Sequence, residues 1–199
     1  MTRKATQVLT IGVMLVVGTR HLRSEVQTPG PCSVREMVPA QVRLVNCGTT
    51  VIVANGMARS ATLRRVIDRI GQLKGIVYVE DRYYVNERTR KVLSGALSHQ
   101  VTMAGAHRVL HVMVAPESGD RRLLTLAHEL QHAIEVLEAP DVATAGAVDE
   151  LFERIGTNTS AGIMETQAAL DVERAVGREL SADRESHYSA SLVDATKRR

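Results

Sequence analysis

The segment "LLTLAHELQHAIEVLE", residues 123–138, sets His128, Glu129 and His132 within one turn and a half of an otherwise amphipathic stretch. Residues four apart on a helix project from nearly the same side, with Cβ atoms roughly 5–6 Å apart, so two imidazoles at this spacing reach a single metal ion. Leu123, Leu126, Ala127, Leu130, Ala133, Ile134 and Leu137 gather on the opposite side, so packing against a core gives no reason for the histidines. Glu129 points aside from both imidazoles yet within reach of a water activated by such an ion, which is where a general base belongs. The chemistry expected of this group is metal-assisted hydrolysis.

A third ligand has to come from elsewhere, and "GIMETQAALDVERAVGREL" offers Glu165, Glu173 and Glu179. On a helix over about 162–181, Ala169, Val172 and Val176 fall within about 40° of Glu165, whereas Glu173 lies on the margin of that apolar face. A carboxylate projecting inward is costly unless it is paired or holds a metal. Ala168 and Ala169 are small enough to let this helix approach the histidine helix. Glu165 is therefore the expected ligand and Glu173 the reserve, with a buried salt bridge from Glu165 to an arginine as the competing account.

His128-Glu129-Leu130-Gln131-His132 resembles the H-E-x-x-H signature of the zincin metallopeptidases. The resemblance implies one Zn²⁺ held by His128, His132 and Glu165, Glu129 as the catalytic base, and a peptide or protein substrate. The metzincin variant breaks its helix at a glycine three residues after the second histidine and adds a third histidine. Glu135 and Glu138 stand at those positions, so the chain resembles the gluzincins instead, where a later glutamate completes the site. One departure is Ala169, which stands where gluzincins carry an aspartate that orients a ligand histidine. Asp149 or Asp171 is expected to take that role. From "ARSATLRRVID" through "GIVYVE" to "ETQAA" and "GREL", about residues 55–181, the chain also resembles a group of bacterial zincin-like exported proteins.

The elements that must position these residues follow from pattern. "SATLRRVIDRIGQL" reads as a helix with Ser60 as its N-cap, and "GIVYVE" as a strand. "HQVTMAG" and "HRVLHVMVA" form a hairpin about Gly105, the second segment being the edge strand expected to pair with an extended substrate. Helices follow at about 120–138, 146–155 and 162–181. The fold class is α+β, a minimal zincin-like arrangement in which a small mixed sheet packs on the H-E-x-x-H helix and a following glutamate-bearing helix. His107 and His111 share one face of the edge strand and read as ordinary surface residues. His187 and Tyr188, after the last helix, are candidates for stabilising an oxyanion. Asn158-Thr159-Ser160 spells a sequon and reads as a polar turn.

The chain's 199 residues suit one domain. Hydrophobic residues at 44% and charged ones at 24% are a globular composition, with an aliphatic core because Phe occurs once and Trp not at all. Of 25 Lys and Arg, Arg3, Lys4, Arg20 and Arg23 precede the first acidic residue, leaving 21 against 22 Asp and Glu. No basic stripe interleaves with aromatics, which excludes nucleic acid as a partner. Residues 1–23 combine that basic start with an apolar run from Val8 to Val17, the pattern of a signal peptide or an N-terminal membrane anchor. The expected location is therefore exported: periplasmic, secreted or anchored by that segment. Residues 24–54 read as an extended linker and entry segment, 55–190 as the zincin-like metal-binding domain and 191–199 as a basic C-terminal tail. Cys32 and Cys47 either close a loop as a disulfide or remain separate thiols.

The function expected is a zinc metallopeptidase. The alternative is a non-catalytic zinc-stabilised envelope or binding module with a degenerate site, and a third reading is a metal-free helical domain that spells the motif by coincidence.

Overall fold

Asn46 and Thr49 cap each other: the Asn46 side chain accepts from the Thr49 N–H at 2.9 Å, and the Thr49 hydroxyl accepts from the Asn46 N–H at 3.2 Å. This reciprocal box starts a helix inside the stretch expected to be linker. The computed structural model describes residues 37–86, 90–159 and 163–197, with side chains to residue 189. The leader, Cys32 and Ser160 lie outside them.

Strand β1 (Val42–Leu44), helix α1 (Cys47–Arg59) and helix α2 (Ala61–Gly71) precede strand β2 (Gly75–Asp81). Ile52, Val53 and Met57 of α1 enter the core, so the folded unit begins well before residue 55 and the 24–54 linker boundary is corrected. The sequence "CGTTVIVANGMAR" carries five β-branched residues and two glycines, poor helix formers whose preference is overridden here by packing and the cap. Ser60 caps α2 through the Leu63 N–H, as its spacing predicts.

A short ladder of β3 (Tyr84–Val85) and β4 (Val92–Leu93) follows, then β5 (Gly95–Leu97), β6 (Thr102–Ala104) and β7 (His107–Val114). The β6–β7 hairpin turns at Gly105, whose φ of 62° suits glycine. The sheet runs β1-β2-β7-β5, with β6 also on β7. β1, β2 and β7 are parallel, while β5 and β6 run antiparallel to β7. β7 is thus interior, paired on both sides, and the expectation that it is an edge strand open to substrate is corrected. Among the described strands of this sheet β1, β5 and β6 have an open side, and β5 is the one beside Glu129.

Val77 and Val79 of β2 and Leu110 and Val112 of β7 are fully buried on one face; on the other, β2 alternates with half-buried residues while Val109 and Met113 of β7 are buried too. They meet Leu63, Ile67, Leu126, Leu130 and Leu180 of the helices in a single core. Helix α3 (Asp120–Glu138) packs on β7, β5, α2 and α5. Its N-terminal Asp120 is bonded by Arg59, and its C-terminal carbonyls are bonded by buried Arg108, which reaches the oxygens of Val136, Leu137, Ala139 and Val142. Both ends of the helix macrodipole therefore meet opposite charge.

Helix α4 (Ala145–Ile155), the two-residue strands β8 (Thr157–Asn158) and β9 (Met164–Glu165), and helix α5 (Gln167–Lys197) complete the α+β fold. α5 starts after Glu165 rather than at 162, so the glutamate sits on β9 and not on the helix. It continues to residue 197, so most of the expected tail is helical. Among the described residues no helix is long and apolar enough to cross a membrane.

Candidate metal centre

His128, Glu129 and His132 are only 8%, 9% and 6% exposed, so the face of α3 opposite its apolar stripe is not a solvated face. β9 brings Glu165 over them. His128 Nε2 lies 3.1 Å from His132 Nε2, and Glu165 Oε2 lies 2.8 Å and 3.7 Å from the two nitrogens. A tetrahedral ion with bonds of about 2.0–2.1 Å holds its ligand atoms about 3.3 Å apart, close to the middle of these separations. His128, His132 and Glu165 thus form a group able to hold a metal ion, and Glu165 Oε2 is sealed from water without a well-formed hydrogen bond.

The outer nitrogens explain why the inner ones face each other. His128 Nδ1 is 3.0 Å from Glu173 Oε2, and His132 Nδ1 is 2.8 Å from Glu135 Oε2. A carboxylate on each Nδ1 holds a proton there and turns the Nε2 lone pair inward. Glu135 is held in turn by the Thr166 hydroxyl, which donates to it at 2.6 Å while accepting from the Ala169 N–H at the start of α5. The residue after the third ligand therefore both starts α5 and fixes the orientation of His132.

Three acceptors converging in a buried space repel unless a cation joins them, and protons fill that need when no metal does. Burial opposes a charge on His132, but the neighbouring carboxylates of Glu135 and Glu165 outweigh it and raise its pKa to about 9. His128 is raised in the same way, burial being outweighed chiefly by Glu165 and Glu129. Burial would raise Glu165, yet the two imidazoles bring it down to about 2. Protons and a metal ion compete for the same lone pairs.

Glu129 lies beside this group, and its carboxylate accepts from the Leu97 backbone N–H. Burial raises its pKa above the ordinary carboxylate value, although both histidines pull it down. β5 bonds to β7 through Ser94 O and Ser98 N, so the polar backbone groups of Gly95 and Leu97 are directed away from β7 along its open side. Gly95 is required by this approach, since a Cβ there would sit 3.0 Å from Glu129 Cγ.

The group opens into a cleft of about 840 Å³ between β5 and the α4 and β9 side. Phe152 of α4 meets the His132 ring edge-on at 5.1 Å, and His99 stacks on Phe152 at 5.7 Å with its Nδ1 2.5 Å from Asp149 Oδ1.

The structure thus brings together the four residues expected from sequence. It does not bring Asp149 or Asp171 to a ligand histidine: Asp149 is on His99, and exposed Asp171 is on Gln167 and Arg174. Glu173, the reserve ligand, and Glu135 take that role instead. The sequence signal for Glu135 is its position three residues after His132 on the same helix. Glu179 accepts from Ser60 and Thr62, away from the cleft. His111 pairs with Glu80 and stacks on Tyr78, on the sheet face away from the core, and His107 is exposed. His187 and Tyr188 are exposed and do not line the cleft, which removes both as oxyanion candidates in this arrangement. Comparison with family models, curated proteins and solved structures finds no match.

Proposed function

We propose that the chain is a zinc-dependent metallopeptidase of gluzincin-like zincin type, in which His128, His132 and Glu165 hold one Zn²⁺ and Glu129 is the general base. The observation that carries this reading is the convergence of two Nε2 atoms and Glu165 Oε2, each imidazole being turned inward by a carboxylate on its far nitrogen. Two imidazoles and a carboxylate at near-tetrahedral separations suit zinc. When bound, zinc supplies a Lewis acid that acidifies water and polarises a carbonyl.

Glu129 takes the proton of the attacking water and passes it to the leaving amine. Its raised pKa places it nearer the pH at which a base both accepts and returns a proton, and the Leu97 N–H holds its carboxylate in place. The open side of β5 offers the backbone groups of Gly95 and the carbonyl of Leu97 to an extended peptide, a role first expected of β7. The exported location rests on the charge pattern of residues 1–23 alone.

A structural zinc site is closed by four protein ligands, whereas three ligands beside a cleft leave a position for water, which favours an enzyme over a zinc-stabilised binding module. Metal analysis of the purified chain is expected to give one zinc per chain, and cleavage of a peptide library is expected to disappear on chelation. Glu129→Gln is expected to keep the zinc and lose roughly 10²-fold or more in rate, the scale of a general base. Undiminished cleavage by Glu129→Gln refutes the mechanism, and a zinc-loaded chain that cleaves nothing leaves the binding-module reading.

A further inference from the structure

Carboxylates dominate the cleft. Among the described residues Glu129, Asp149, Glu153, Glu165 and Glu173 line it and no Lys or Arg does, in a chain whose Lys and Arg outnumber Asp and Glu by 25 to 22. A divalent cation offsets two of these five charges and leaves the cleft negative. Four have tasks within the protein: Glu165 faces both histidines, Glu129 stands beside them, Glu173 holds His128 and Asp149 holds His99. Glu153 has none. It is exposed on α4 one turn after Asp149, on the wall facing β5, and among the described residues it has no ion pair or side-chain hydrogen bond.

A peptide extended along the open side of β5 passes between that strand and α4. Its side chains alternate in direction, so those pointing at α4 meet Glu153 and Asp149. An acidic side chain there encounters like charge at the wall, while a lysine or arginine supplies the one partner Glu153 lacks. Walls of low dielectric concentrate this field within the cleft. We propose that the cleft selects peptides with a basic side chain near the bond it acts on, and that Glu153 is the residue that reads it. The inference rests on the peptidase reading in taking an extended peptide as the occupant.

The test uses binding, separately from turnover. Zinc-loaded full-length Glu129→Gln protein is titrated into three fluorescein-labelled dodecapeptides, identical except for two lysines, two glutamines or two glutamates. The lysine peptide is expected to bind roughly tenfold tighter than the glutamine peptide at low salt and the glutamate peptide more weakly still. The advantage should shrink near 0.5 M salt, where screening reaches only about 4 Å. Adding Glu153→Gln should reduce the lysine advantage about threefold or more with zinc content unchanged. Equal binding of the three peptides, tighter binding of the glutamate peptide, or an advantage indifferent to Glu153→Gln overturns the proposal. The two readings separate: unselective cleavage by the wild-type chain removes this inference and keeps the peptidase, while selective binding without cleavage does the reverse.

Discussion

Gly95→Ala tests whether β5 positions Glu129. The new Cβ would stand 2.3 Å from Thr125 Cγ2, 3.0 Å from Glu129 Cγ and 3.1 Å from Glu129 Oε1. Carbon atoms settle at about 3.5–4.0 Å, so Thr125 has to retreat by more than about 1 Å and Glu129 by about half that or more. Overpacking of this kind costs about 1–3 kcal/mol, and an error near 1 Å in a catalytic group costs on the order of 10²-fold in rate. None of the crowded atoms is a ligand atom, so zinc content should not change. The variant is expected to lose about 3–10 °C in Tm and on the order of 10²-fold in kcat, read by calorimetry and by peptide cleavage, with zinc followed by elemental analysis. A second substitution, Thr125→Ser, deletes the atom in the worst contact and leaves Glu129 crowded. The double variant should therefore recover most of the Tm and little of the kcat. If Gly95→Ala melts and cleaves as the wild type does, β5 does not hold the base where the structure puts it.

Glu135→Gln keeps an oxygen for the His132 Nδ1–H and removes the charge, so zinc affinity is expected to fall roughly 10–100-fold. Competition with a chromophoric chelator measures this, and an unchanged affinity would mean that an acceptor oxygen on Nδ1 suffices and the Glu135 charge adds nothing. Glu179 tests a pH dependence away from the metal group. Its pKa is lowered because hydrogen bonds from Ser60 and Thr62 outweigh its partial burial, which by itself raises it. A group whose folded pKa is depressed contributes stability above its unfolded value, near 4.5, and loses it as pH falls through the folded value. The stability gap between wild type and Glu179→Gln should accordingly be roughly 1–3 kcal/mol at neutral pH. It should narrow below about pH 4.5, and a gap constant from pH 7 to 3 in urea titrations would contradict this account.

The histidine pair was legible because its geometry is local: a spacing of four on a strongly periodic helix places two rings together whatever the rest of the fold does. Glu165 was reached by a route the structure corrects. A helical period put it on an inward face, whereas it lies on β9 and faces inward because Thr166, bonded to both Glu135 and the Ala169 N–H, starts α5 immediately behind it. What escaped the sequence depends on which segments become neighbours. Alternation along "HRVLHVMVA" is the same whether the strand's outer side meets solvent or its own β5 and β6, so an interior strand read as an edge. In α1, β-branched residues and glycines hid a helix whose evidence was the Asn46–Thr49 cap. The supporting carboxylates lie between these cases. Glu135 was within reach of the same local argument that found the histidines, but Glu173 required knowing that α5 crosses α3 at His128. An aspartate four residues beyond Glu165 would face the same way only if this glutamate rode on the helix. With Glu165 on a strand, that spacing no longer maps to one side of a helix, and the support for His128 comes from the second turn of α5 instead.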